Sequence, residues 1–347
     1  MEVLADFISP LVQLVEILSY VVQTLKDWEK LADDAVSFGY HYEAEAFLRM
    51  VLEERTRVQG AEHPRTVDAK QMLAHVLGLR GKYGETEALL RSVVEVEVKV
   101  CGPESPGALI MTGRLAVTLR DQQRYQEAED LLRPVIKVMR RVYGPETLLT
   151  LDTMNELAST LGAHGKHEEA EALFRSVLES SQWDGHSTIL DTKKGLATLL
   201  RDQQKYQEAE DLLQSVLESQ QELLVTAPRG TEHVFLLQCS RTWKEIATVL
   251  GMQQKYLGME AWLQWAASVQ TAVLGTEHPE RLDTAKWHAV ALGIQGYHQG
   301  AETSLRTVLW SQMRVLGTEH PQTLDTKKKL DFVLAMENRA KALWTEY

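Results

Sequence analysis

The chain has 347 residues, of which 44% are hydrophobic and 25% charged, and it carries a formal net charge of -12. That composition excludes a disordered polypeptide, and the acidic balance disfavours nucleic acid and anionic membrane as partners. The two cysteines, Cys101 and Cys239, form no CxxC or Cys/His cluster. This excludes a disulfide framework and a zinc site, predicts no cofactor, and fits a reducing, cytoplasmic setting.

The first segment, residues 1–27, is apolar but carries Glu2 and Asp6 where a signal peptide has basic residues. Between Val3 and Leu25 the apolar run is interrupted by Asp6, Ser9, Pro10, Gln13, Glu16 and Gln23, which is too polar for a membrane span. Ser9-Pro10 reads as a helix start. Leu11, Leu14, Leu18, Val21 and Leu25 then follow a three-four spacing, broadened by Val12, Val15, Ile17 and Val22. Two readings stay open: a helix capping the next unit, or self-association through residues 10–25.

Residues 28–322 read as seven helical-hairpin repeats. An acidic residue recurs at Glu45, Glu87, Glu129, Glu171, Glu210, Glu260 and Glu302, at intervals of 42, 42, 42, 39, 50 and 42. The short interval predicts a trimmed loop around Trp183 to Ser187. The long one predicts an insertion around Leu223 to Phe235. In each first helix an alanine recurs at Ala32, Ala74, Ala116, Ala158, Ala197, Ala247 and Ala289. Twelve residues later stands Ala44, Thr86, Ala128, Ala170, Ala209, Met259 or Ala301. Small residues at both sites predict closely packed antiparallel helices. Larger apolar residues follow at fixed offsets, from Leu48 and Val51 to Leu305 and Val308, which places them on one helical stripe.

Residues 323–347 read as a cap, because a stack of repeats leaves an apolar face bare at its end. Thr323 to Met336 repeats a first helix, but Asp331 replaces the recurring alanine.

This alternation of small and large positions resembles tetratricopeptide repeats. The 42-residue period, with Gly60-Ala61-Glu62-His63-Pro64 and its counterparts Gly275 to Pro279 and Gly317 to Pro321 between units, is similar to the repeats of kinesin light chains. The resemblance spans about residues 28 to 335 and implies an all-α, right-handed superhelical solenoid. Similar arrays occur in nucleotide-binding receptors, but the chain has no GxxxxGK[ST] motif, nor a long heptad segment comparable to the stalk of light chains.

The resemblance also implies that first helices line a concave groove. Three residues before each recurring alanine lies a position that resembles the groove-facing asparagine of such repeats. It reads Glu29, Gln71, Gly113, Asn155, Lys194, Lys244, Lys286 and, in the cap, Lys328. Asn155 keeps the asparagine, and the four lysines form a row. Helices about 8–10 Å apart match roughly three residues of extended peptide. An extended acidic partner segment is therefore expected to engage Asn155, Lys194, Lys244, Lys286 and Lys328. Against this, Asp191, Asp283 and Asp325 lie three residues before Lys194, Lys286 and Lys328, which permits intrahelical pairing. Lys244 has Arg241 there and reads as the least neutralised.

Five of the eight tryptophans fall between Trp243 and Trp310. Trp262, Trp265 and Trp287 suggest an aromatic pocket, with inter-repeat packing as the plainer alternative. The recurring His63, His233, His278 and His320 lie in joining turns and read as structural. No HExxH, GxSxG or GxGxxG occurs, and paired acids such as Glu127 and Glu129 repeat with the fold, whereas a catalytic pair should be singular. The expected function is a protein-protein interaction scaffold without metal or catalytic residues. The alternative is a small-molecule-binding or catalytic accessory protein of specialised metabolism that uses the tryptophan-rich C-terminal half.

Overall fold

The structure, a computed structural model, describes residues 28–36, 40–180, 186–226, 228 and 230–345. The helix expected over residues 10–25 lies outside them. Every regular element among the described residues is an α-helix. The chain divides into two compact units, Met1–Leu89 and Leu90–Tyr347.

In the first unit, α1 (28–36), α2 (His41–Gln59) and α3 (Pro64–Leu79) precede the start of α4 (Tyr83–Cys101). Ala32, Ala44, Leu48, Leu73 and Leu77 share one buried core there. The second unit continues through α5 (Pro106–Asp121), α6 (Tyr125–Val142), α7 (Leu148–Ala163), α8 (His167–Glu179) and α9 (Ser187–Asp202). It closes with α10 (Tyr206–Thr226), α11 (Glu232–Met252), α12 (Tyr256–Leu274), α13 (Pro279–Ile294), α14 (His298–Val315) and α15 (Pro321–Thr345). Helical hairpins follow one another in chain order, which is the all-α repeat solenoid class expected from the period. The 50-residue interval is absorbed by lengthening: α11 has 21 residues against 16 in the first helices α5, α7, α9 and α13, and α10 has 21 against 18 or 19 in the second helices α6, α12 and α14.

Two kinds of turn impose this order. Within a hairpin, the first helix ends in a residue of left-handed conformation, followed by an N–H that donates to the carbonyl five residues back. Lys82 donates to Leu77, Lys166 to Leu161 and Lys255 to Leu250, each at 2.9 Å. Glycine supplies the left-handed residue at Gly81, Gly165 and Gly296, but glutamine does so at Gln123, Gln204 and Gln254. Between hairpins, the imidazoles of His63, His278 and His320 accept a hydrogen bond from the amide two residues on and so cap α3, α13 and α15. His186 caps α9 in the same way. His233 corrects the expected pattern: it lies inside the first turn of α11, because the insertion moves that helix start to Glu232.

Packing follows the small-residue register. All seven recurring alanines are buried, as are all seven residues at the partner position. The larger side chains of the stripe fill the space beside them, each burial contributing about 1.5–3 kcal/mol. In the last core, Leu330 and Val333 of α15 pack on Ala289, Ala301 and Leu305. Asp331 itself is exposed, so the cap turns a charged side chain to water where earlier repeats bury alanine.

The recurring glutamate bolts one hairpin to the turn of the next. Glu129, 1% exposed, accepts from Lys166 at 2.8 Å, from His164 at 2.6 Å and from Arg133 at 3.1 Å. Burial pushes its pKa up, but these donors outweigh it and hold the carboxyl at about 2. Glu45 does the same for Arg80 and Lys82, and Glu171 for Lys205 at 3.1 Å. These acids are structural, which agrees with their repetition.

Candidate binding surface on the first helices

Lys194, Lys244, Lys286 and Lys328 occupy equivalent positions on α9, α11, α13 and α15. Their electrostatic surroundings differ sharply. Lys286 is 3% exposed and its ammonium lies 2.7 Å from Asp283 and 2.6 Å from Asp325. Lys244 reaches across from α11 to Asp283. Asp283 is thus clamped between two ammonium groups. Burial raises its pKa, yet the two lysines lower it further below the ordinary carboxylate value. Lys244, expected to be the least neutralised of the row, is instead paired with the following hairpin. The reason is geometric: a carboxylate of the next first helix stands closer than any partner on its own helix.

Lys194 makes only a long contact with Asp191, at 3.4 Å. Lys328 is exposed and has no ion pair among the described residues. The intrahelical pair expected between Asp325 and Lys328 does not form, because Asp325 is turned to Lys286. The row therefore divides into structural members, Lys244 and Lys286, and available members, Lys194 and Lys328.

Asn155 on α7 is half-buried, and its carboxamide oxygen has no hydrogen-bond partner among the described residues. It stands beside Gly195 of α9, where a side chain would come within 3.6 Å of it. Glu245 on α11 likewise has a buried, unpartnered oxygen. Burial pushes its pKa up against the pull of Lys194 and Lys244.

The aromatic pocket expected from Trp262, Trp265 and Trp287 does not assemble. Trp262 and Trp265 are edge-on at 5.2 Å, and each lies 6.4 Å from Trp243, so these rings pack on one another. No ring contact joins Trp287 to them among the described residues. They belong to α12 and its hairpin partner α11, whereas Trp287 belongs to α13. Two ammonium groups approach the Trp287 ring instead, Lys329 at 4.8 Å and Lys286 at 5.4 Å from its centre. Lys329 was not anticipated from the sequence. The signal available was its place in Lys327-Lys328-Lys329, one residue after the groove position.

The arrangement offers an aromatic ring and two ammonium groups without ion pairs at the cap, while the carboxamide oxygen of Asn155 is buried and unpartnered. Such groups bind; they carry no evident chemistry. Among the described residues no cluster of side chains could hold a metal ion, and no helix is long and apolar enough to cross a membrane.

The chain matches the tetratricopeptide repeat family over residues 66–107, 107–182 and 190–233. No curated protein matches it in sequence. Among solved structures it is similar to nearly identical TPR-like repeats described as kinesin light chain from Podosopora anserina. The identity is 26%, covering 57% of this chain and 96% of that one, with a TM-score of 0.47. It is also similar to BtubC (BKLC) from P. vanneervenii, at 18% identity over 68% of this chain and 92% of that one, TM-score 0.51. A Signal Transduction ATPase with Numerous Domains protein with a tetratricopeptide repeat sensor, from Pyrococcus horikoshii, is 15% identical. That match covers 96% of this chain and 47% of the other, with a TM-score of 0.53. The last two likenesses are of fold.

Proposed function

Since the chain is a tetratricopeptide repeat protein with kinesin-light-chain-like 42-residue repeats, we propose that it is a protein-protein interaction scaffold whose first-helix face takes up an extended acidic segment of a partner protein. The observation that carries this reading is Trp287 within cation–π reach of Lys286 and Lys329, beside the exposed Lys328, which has no ion pair among the described residues. An aromatic face beside free ammonium groups suits a segment that carries carboxylates and one apolar anchor. Asn155, three hairpins earlier, keeps the position of the groove asparagine, with its carboxamide oxygen buried against α9. Lys194 lies between these points, whereas Lys244 and Lys286 act by holding the helices in register. The free thiols of Cys101 and Cys239 agree with a reducing, cytoplasmic setting. Self-association through residues 10–25 remains a separate proposal, tested by sizing the protein with and without residues 1–25.

The groove reading is tested by fluorescence anisotropy with a labelled extended peptide bearing glutamate at every third position and one central leucine. Binding should weaken as salt rises and should fall at least tenfold in the Lys328→Glu/Lys329→Glu double variant. Equal affinity in the variant and the parent would remove this surface from consideration.

A further inference from the structure

One seam of the second unit departs from the repeat in three places at once. At the position of Arg281 the second to sixth repeats and the cap place Thr66, Ala108, Thr150, Ile189, Cys239 and Thr323, all buried. At the position of His288 stand Leu31, Leu73, Leu115, Leu157, Leu196, Ile246 and Leu330, all apolar and all but Leu31 buried. At the position of Ser304 stand Phe47, Leu89, Leu131, Leu173, Leu212 and Trp262. Repetition makes these departures conspicuous: a small or apolar residue becomes arginine, a core leucine becomes histidine, and a large apolar residue becomes serine.

The three residues line the same space. Arg281 and His288 are seven residues apart, hence on one face of α13. With Ser304 and Thr307 of α14 and Ser268 and Thr271 of α12 they line an open cleft of about 530 Å³, to which Ala267, Ala285 and Val308 also contribute. The equivalent seam between α6 and α8 also holds a cavity, of about 560 Å³, but Leu157 and Leu173 line it at the positions of His288 and Ser304. The hollow recurs, and both cavities carry charged or polar side chains on their lining; what is particular to α12–α14 is the histidine and serine in place of those two leucines, beside an arginine without a carboxylate partner.

Arg281 is half-buried and its one hydrogen bond among the described residues runs from Nε to the Thr271 hydroxyl, at 3.3 Å. No carboxylate lies within ion-pairing distance of it there. Burial alone draws its pKa down, and burial also lowers that of His288, which keeps the imidazole neutral. A guanidinium withdrawn from water without a counter-ion is costly, so an anion completes this site.

We infer that the α12–α14 cavity binds a small phosphorylated, hydroxyl-bearing molecule, with Arg281 taking the phosphoryl oxygens. The planar fork of arginine matches a phosphate, His288 and Ser304 add neutral donors for its remaining oxygens, and the threonine and serine hydroxyls suit the polar remainder. The volume lies within the range of small-molecule sites. This cavity is distinct from the first-helix face proposed for the partner segment.

The test is thermal denaturation of the full chain titrated with glucose 6-phosphate and with inorganic phosphate, at ionic strength held constant with sodium chloride. The melting temperature should climb with phosphate-ester concentration, as it does for any ligand that binds only the folded state. Arg281→Thr and Ser304→Leu restore residues typical of the repeat, and each should remove at least nine-tenths of that climb, with helicity by circular dichroism retained. No climb with either compound, or an undiminished climb in both variants, would overturn the inference.

Discussion

Asp325 of the cap helix gives its carboxylate to Lys286 of the preceding hairpin at 2.6 Å, not to Lys328 one turn along its own helix. The choice follows from burial: Lys286 is almost enclosed and needs a counter-ion, whereas Lys328 is satisfied by water. The pair belongs to a chain of charges from Lys244 through Asp283 and Lys286 to Asp325, which spans three successive first helices.

Lys286→Met should therefore destabilise the protein by about 2–4 kcal/mol, because Asp283 and Asp325 lose a buried counter-charge. Lys328→Met should change stability by less than about 0.5 kcal/mol. Urea denaturation of both variants separates the roles. Equal effects would mean that Lys286 is no more structural than its exposed neighbour.

The repeat register was legible from single residues. Seven alanines in step predicted seven buried contacts, because only small side chains allow the helices to approach. The ion network was not legible, since Asp325 has two lysines within reach and sequence spacing favours the one it does not take. Tertiary distance decided it. Trp287 was grouped with Trp262 and Trp265 by proximity in sequence, but it stands on the next hairpin and its ring meets lysines of α13 and α15. Arg281, His288 and Ser304 were visible as departures from their columns, yet no motif flags them, and only the shared cavity joins them.

Glu129 makes a pH-dependent contribution with a definite sign. Its folded pKa of about 2 lies below the ordinary value of 4.5, so its contribution is complete above about pH 5 and declines as pH falls through 4.5 towards 2. The full contribution is on the order of 3 kcal/mol. Glu129→Gln should lose about that much at pH 7 and show a flatter stability profile between pH 5 and 2.5 than the parent. Parallel profiles for the two proteins would count against it.

Three hairpin turns carry glutamine in left-handed conformation, with φ of 64°, 63° and 61° at Gln123, Gln204 and Gln254. Their counterparts Gly81, Gly165 and Gly296 adopt the same turn without a side chain to strain it. A left-handed non-glycine residue costs about 1–2 kcal/mol, and the added unfolded-state entropy of glycine returns roughly 0.5–1 kcal/mol of that. Each Gln→Gly change should therefore raise the melting temperature, and the triple variant by about the sum of the three. Lowered melting temperatures in the single variants would show that these glutamine side chains contribute contacts of their own.

Two glycines on first helices separate helix propensity from packing. Gly113 on α5 has open space where a Cβ would stand, so Gly113→Ala should stabilise by up to about 1 kcal/mol through propensity and chain entropy. Gly195 on α9 faces the ring of Phe174, whose Cε1 and Cζ would lie 2.8 and 2.9 Å from an added Cβ. Phe174 is itself buried in the hairpin core and its flat ring has nowhere to retreat. The same substitution there should cost about 1–3 kcal/mol despite the better propensity of alanine. Chemical denaturation of the two single variants gives opposite signs if packing between α8 and α9 is as tight as this contact requires, and like signs if Phe174 can shift aside.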